Sequence, residues 1–204
     1  MENGMRLLAL VLLAVTLTGC RFYEVDSGAL YRSPQPTGEE LERAIADYGL
    51  KTIINLRGES PDSAWYQDEK AVADKYGVPM INISMSAKSI PSRQNLLKLL
   101  DAFRTAVRPM LVHCMAGVDR TGEASALYQM IYMGKSREDA LEMLSGNFGH
   151  FENFMPAKRY FVRDIWQSEQ WAYEEYDPCQ NDYKYFNKNG CDGKELPIEE
   201  GGDT

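Results

Sequence analysis

Cys114 and Arg120 stand six positions apart in "LVHCMAGVDRTGE", residues 111–123. A cysteine attacks as its thiolate, and the thiolate forms readily where a positive field lowers the thiol pKa. The surrounding pattern supplies such a field. An apolar run, Met110 to Val112, leads into His113 and Cys114, and an amphipathic stretch with Ala124, Leu127, Tyr128 and Ile131 follows Arg120. The cysteine thus sits where a buried strand ends and a helix begins. Backbone N–H groups at a helix start have no partner within the helix, and the helix dipole is positive there. A loop of Met115, Ala116, Gly117, Val118, Asp119 and Arg120 curled around that point can turn successive N–H groups toward one tetrahedral oxyanion. Gly117 gives the backbone freedom that the curl requires. Arg120 adds a planar fork able to hold two phosphate oxygens, which lysine could not reproduce. A thiolate beneath a phosphoryl group is an in-line nucleophile. The loop is built to capture phosphate and attack it.

"HCMAGVDRTG", residues 113–122, resembles the His-Cys-x5-Arg-Thr/Ser signature of the cysteine-based protein tyrosine phosphatase superfamily. Its form is that of the bacterial and dual-specificity members, His-Cys-x-x-Gly-x-Asp-Arg-Thr-Gly. "ALYRSPQP" and "TIINLRGE" also resemble short elements that precede the signature in bacterial members, so the likeness spans Gly28 to Trp166 in outline. The resemblance implies that Cys114 forms a phosphocysteine intermediate and that Arg120 holds the phosphoryl oxygens. Thr121 would give a hydroxyl hydrogen bond to the thiolate, and His113 would fix the loop and tune Cys114. Water then hydrolyses the intermediate, with no metal and no other cofactor. The implied substrate is a phosphate monoester, in particular a phosphoprotein.

The chain departs from that family in its acid. Members usually carry an aspartate on a loop before the cysteine to protonate the leaving oxygen, but the corresponding "SMSAKSIPS", residues 84–92, has no carboxylate. Asp74 and Asp101 fall on helical stretches and read as solvated faces. Asp119 is the remaining candidate, as in lineages thought to use an aspartate before the arginine; bracing the loop is its alternative role. Phosphoinositide-preferring relatives often place lysines in the loop, where this chain has Met115, Ala116 and Val118. A compact ester such as phosphotyrosine is therefore the expected substrate. A lipid or inositol phosphate phosphatase, and a pseudophosphatase that binds phosphate without turnover, are the alternatives. His150, among aromatics in "GNFGHFENF", reads as a packed side chain, and Arg32 and Arg57 as surface salt-bridge formers.

Strand-like and helical stretches alternate along the chain. A strand around Ala29 to Arg32 precedes a helix capped by Thr37 with Glu40 three residues on, stopped by Gly49. "KTIINLR" and "VPMINIS" are strands flanking a helix from Pro61 to Gly77. Ser92 opens another helix, and "PMLVHC" is a continuously apolar strand, as buried parallel strands are. Helices are expected near Thr121–Met133, Ser136–Leu144 and Pro156–Tyr173. The fold class is α/β, a central mixed or mostly parallel sheet flanked by helices, phosphatase-like by the resemblance above.

The 204 residues suit one domain, and the formal net charge of −8 makes nucleic acid an unsuited partner. Much of that charge is terminal: nine acidic residues face three lysines between Glu174 and Thr204. At the other end, Arg6 precedes the apolar run Leu7–Leu17, short for a membrane span but suited to a signal-peptide core. Leu17-Thr18-Gly19-Cys20 resembles the bacterial lipobox, which implies cleavage before Cys20 and its lipidation. The expected location is then the bacterial cell envelope, on the extracytoplasmic side, with the lipid as membrane partner. In that oxidising compartment Cys179 and Cys191, in a turn-rich segment, form a candidate disulfide. The expected organisation is a signal peptide over 1–19, a tether over 20–27, the catalytic domain over 28–175 and an acidic tail over 176–204.

Overall fold

The computed structural model describes residues 22–192. Among these residues five strands form one sheet: β1 Tyr23–Asp26, β2 Leu30–Ser33, β3 Thr52–Asn55, β4 Met80–Asn82 and β5 Met110–His113. Their order is β1-β2-β5-β3-β4. Only β1 runs antiparallel; β2, β3, β4 and β5 pair parallel. The central strand, β5, is flanked by β2 and β3, and both Ser33 and Asn55 lie opposite His113. That rung is the carboxyl edge of three strands, where open α/β sheets carry their binding crevices.

Alternation along each strand divides the core into two layers. Tyr31, Ile53 and Leu111 face α1 (Gly38–Tyr48) and α2 (Ala64–Tyr76), where they meet Leu41, Ala44, Val72 and Ala73. Leu30, Ile54 and Val112 face the other way, into a larger cluster with Leu99, Phe103, Leu127 and Phe161. That layer holds α3 (Arg93–Thr105), α4 (Asp119–Tyr132), α5 (Arg137–Ala140), α6 (Pro156–Tyr160) and α7 (Glu169–Glu174). The Thr37–Glu40 capping box is formed, and Gly49 ends α1 in the left-handed region.

Several elements differ from the sequence reading. Residues 23–26, expected as tether, form edge strand β1. Helix α4 is buried from Arg120 through Gln129 rather than amphipathic, because a 3-10 turn, Leu141–Leu144, packs on its far side. A Cβ on Gly122 would lie 2.6 Å from the Met143 carbonyl oxygen, so only glycine permits that approach. The helix expected over 156–173 is three pieces. α6 passes into a π turn, Phe161–Ile165, the chain extends at Trp166, and Ser168 caps α7. Nor does the domain end at 175. Tyr176 is fully buried, its hydroxyl donates to the Pro91 carbonyl, and Tyr183 and Phe186 pack against the core. Cys179 and Cys191 are disulfide-bonded, with Cα atoms 5.7 Å apart.

Candidate active site

The segment 114–118 connects β5 to α4, as the strand and helix signals required. Gly117 has φ 71°, and a Cβ there would lie 2.5 Å from the Pro34 nitrogen. The position admits no side chain. Donors from outside the loop tie its carbonyls outward. Gln35 N–H donates to the Met115 oxygen at 2.9 Å, and Arg32 Nη2 donates to the Gly117 oxygen at 2.7 Å. Arg32 Nη1 also reaches the Met143 oxygen at 3.0 Å, and Phe148 covers the guanidinium at 4.3 Å. With carbonyls held outward, N–H groups can turn inward. Those of Gly117 and Thr121 reach the Cys114 sulfur.

Cys114 is 2% exposed at the base of this loop. Burial pushes its thiol pKa up. The charge of Arg120, the Thr121 hydroxyl and the N–H groups of Thr121 and Gly117 push it down and prevail, leaving the thiol below its ordinary value. Arg120 Nη1 donates to the Met85 oxygen at 3.2 Å, while its buried Nε has no partner among the described residues. One edge of the guanidinium is thus fixed, and the Nε donor is free for an anion beside Cys114.

His113, one residue earlier, is fully buried. Its Nε2 is 2.7 Å from Oε1 of Glu69 on α2, and among the described residues these two atoms have only each other as partner. A carboxylate only accepts, so Nε2 donates to it, and Nδ1 on the other side of the ring lies 3.3 Å from the Cys114 carbonyl oxygen. The other Glu69 oxygen accepts from Gln35 Nε2 at 2.8 Å, and Gln35 Oε1 accepts from Arg57 at 2.9 Å. Arg57 stacks on Trp65 at 3.5 Å. Burial alone would raise the Glu69 pKa, but His113, Gln35 and Arg57 hold it below the usual carboxylate range.

Asp119 opens α4, and its Oδ1 is 2.7 Å from Nδ1 of His150. His150 is buried, and its Nε2 has no partner among the described residues. So His150 is not simply packed among aromatics; it holds a loop carboxylate. Asp74 is paired with Lys70 on an exposed helical face, and Asp101 with Arg104 and the Tyr173 hydroxyl on another. Neither joins the loop. Cys20 lies outside the described residues.

The reading of Arg32 and Arg57 as surface salt-bridge formers is corrected by their burial, Arg32 against the loop carbonyls and Arg57 against Gln35 and Trp65. The sequence held a signal for Arg32: it sits in a short strand whose neighbours are all apolar or small, so a doubly covered strand buries it too. Glu69 was not singled out. It shares the inward face of α2 with Tyr66, Val72 and Ala73, and a carboxylate at that spacing was the available clue.

The chain belongs to the family described as DSP-PTPase phosphatase fused to NAD+ kinase, whose model matches residues 15–164. It is similar to the dual specificity protein phosphatase TpbA of Pseudomonas aeruginosa, strain UCBPP-PA14, at 26% identity over 137 residues. That match covers 66% of this chain and 58% of the relative, so less than two thirds of the relative is spanned. A crystal structure of P. aeruginosa TpbA in complex with phosphotyrosine superposes with TM-score 0.54 at 26% identity, covering 71% of this chain and 83% of that one. The core catalytic domain of the PP-IP phosphatase SIW14 from S. cerevisiae superposes with TM-score 0.62 at 21% identity, over 74% of this chain and 87% of that one. This last is a likeness of fold. The five-stranded sheet with its flanking helices is the tyrosine-phosphatase-like fold.

Proposed function

We propose that this protein is a cysteine-dependent phosphomonoesterase acting on phosphotyrosine or a similarly compact phosphate ester, anchored to the extracytoplasmic side of a bacterial membrane through lipid on Cys20. The observation that carries the reaction is Cys114 beneath the loop, its thiol lowered by Arg120 and Thr121 while the Arg120 Nε has no partner among the described residues. The Cys114 thiolate attacks phosphorus, and an S–P bond forms as the P–O bond to the leaving group breaks. Asp119 gives its proton to the departing oxygen. Water then attacks the phosphocysteine and passes a proton back to Asp119. Breaking the S–P bond releases phosphate and restores the thiolate.

Three features support the substrate class. The variable loop positions Met115, Ala116 and Val118 are uncharged, so a second phosphate would find no cation there. Cys114 is almost wholly buried at the base of the loop, a setting that suits a phosphate carried on an extended aryl arm. And a solved relative holds phosphotyrosine. The anchor rests on Leu17-Thr18-Gly19-Cys20.

Turnover of p-nitrophenyl phosphate with EDTA present tests the reaction. Wild type should turn over and Cys114→Ser should not, although Cys114→Ser should still bind phosphotyrosine. A pure phosphate-binding protein would show binding in both and turnover in neither. A panel including inositol phosphates and phosphoinositides tests the substrate class.

A further inference from the structure

From the end of the sheet at which the chain enters it, we infer that the mouth of the active site faces and touches the bilayer, with Phe151 and Phe154 seated in its interface. The inference rests on the Cys20 anchor proposed above.

Edge strand β1 is antiparallel to β2, so it begins where β2 ends. Tyr23 pairs with Arg32, one rung from the Ser33–His113 pair that precedes Cys114. The chain thus enters the domain at the edge that carries the phosphate loop. An extended chain spans at most about 3.5 Å per residue, so the lipidated Cys20 would hold Tyr23 within roughly 10 Å of its acyl chains. Such a tether is too short to let that edge turn far from the membrane.

Several of the exposed large apolar side chains belong to the segments at that edge. Tyr23 meets Phe148 edge-on at 4.9 Å, and Phe148 covers Arg32 under the loop. Beyond His150 the same segment exposes Phe151 at 61% and Phe154 at 82%, and the loop exposes Met115 at 37%. Large exposed apolar side chains gathered in one place mark a contact surface. Aromatic rings are the side chains that settle at the membrane–water interface. The nearby charge does not call for anionic lipid, because Glu152 is paired with both Arg159 and Arg163. Insertion of aromatics therefore drives the contact, and it is insensitive to salt. A phosphate ester carried at the membrane surface meets the loop directly, whereas a soluble one must enter from the side.

The test uses the full chain, exported with its leader, purified in detergent and reconstituted into phosphatidylcholine vesicles. Mass spectrometry of the mature N-terminus reads the anchor, and p-nitrophenyl phosphate turnover reads the catalytic proposal, each independently of the orientation. Tryptophan is introduced at Phe154, or at Val107, which is exposed beside the opposite ends of β3 and β5. With brominated phosphatidylcholine, Phe154→Trp should lose most of its added emission and Val107→Trp almost none, at low and high salt alike. In a second arm, the Phe151→Ser/Phe154→Ser pair should leave p-nitrophenyl phosphate turnover unchanged. The same pair should slow dephosphorylation of a vesicle-tethered phosphotyrosyl peptide several-fold. Equal quenching at the two positions, or none at Phe154, in a chain acylated on Cys20 overturns the inference. So does an unacylated mature chain, which removes its premise while leaving turnover to judge the catalytic reading.

Discussion

Asp119 and His150 meet at 2.7 Å although 31 positions separate them. The contact fixes one carboxylate oxygen of Asp119 against a buried ring, leaving the other as the atom able to serve a leaving group. Asp119→Asn should slow phenyl and tyrosyl phosphate by about 10²-fold or more and p-nitrophenyl phosphate far less, because only poor leaving groups need the proton. His150→Ala should show the same leaving-group dependence in weaker form, and His150→Gln, which can still donate, should restore part of it. Rates plotted against leaving-group pKa decide this. A uniform fall across all esters would mean that both residues only brace the loop.

The lowered Cys114 thiol has a kinetic signature. The thiolate is the reactive form, so kcat/KM for p-nitrophenyl phosphate, the ester that needs the Asp119 acid least, should rise with pH and complete that rise below the ordinary thiol value of about 8.5. Thr121→Val removes the hydroxyl donor to sulfur and should move that rise to higher pH. Iodoacetate alkylation of Cys114 against pH reads the same shift without substrate.

Glu69 beneath His113 predicts acid sensitivity. Its pKa is lowered in the folded protein, so its contribution to stability is present above the ordinary value of about 4.3 and is lost as pH falls through the lowered value. Glu69→Ala should cost about 3–5 kcal/mol at pH 7, since it leaves a buried imidazole and Gln35 without their acceptor. Denaturant titrations of wild type and variant should differ by a constant amount from neutral pH down to about 5, and the gap should narrow only below about 4, as pH falls toward the lowered value.

Arg32 and Gly117 shape the loop from outside and within. Arg32→Lys cannot reach the Gly117 and Met143 carbonyls together, so it should cost about 1–3 kcal/mol and weaken phosphate binding. Gly117→Ala places a methyl against the Pro34 nitrogen at positive φ. Phosphate protection against thermal unfolding should disappear in that variant even where the fold survives.

A second buried pair offers a contrast. Glu123 on α4 and Lys158 on α6 meet at 2.8 Å with both side chains fully buried, and burial pushes the Glu123 pKa up more than Lys158 lowers it. Lys158→Met alone should destabilise by about 3–5 kcal/mol, by stranding a carboxyl group. Adding Glu123→Leu should recover most of the loss, as chemical denaturation of the four proteins in the cycle would show.

The strand–loop–helix that carries Cys114 and Arg120 is legible along the chain, because every signal for it is local. A continuously apolar run, a glycine with the freedom to turn and a helix start all fall within thirteen residues. The capping box at Thr37 and the stop at Gly49 were legible for the same reason. What lies around the loop was decided only by tertiary structure. Glu69 lies 34 positions from Gln35 and Arg32 lies 85 from Gly117, yet they meet around the loop, and nothing in their own neighbourhoods distinguishes them from surface polar residues except their place on buried faces. His150 was visible as a histidine among phenylalanines but not as the partner of Asp119, since the turns from Leu141 to Phe148 that bring it back have no periodicity to read. The edge strand Tyr23–Asp26 exists because β2 offers it a free ladder, a condition set by the whole sheet and not by its four residues.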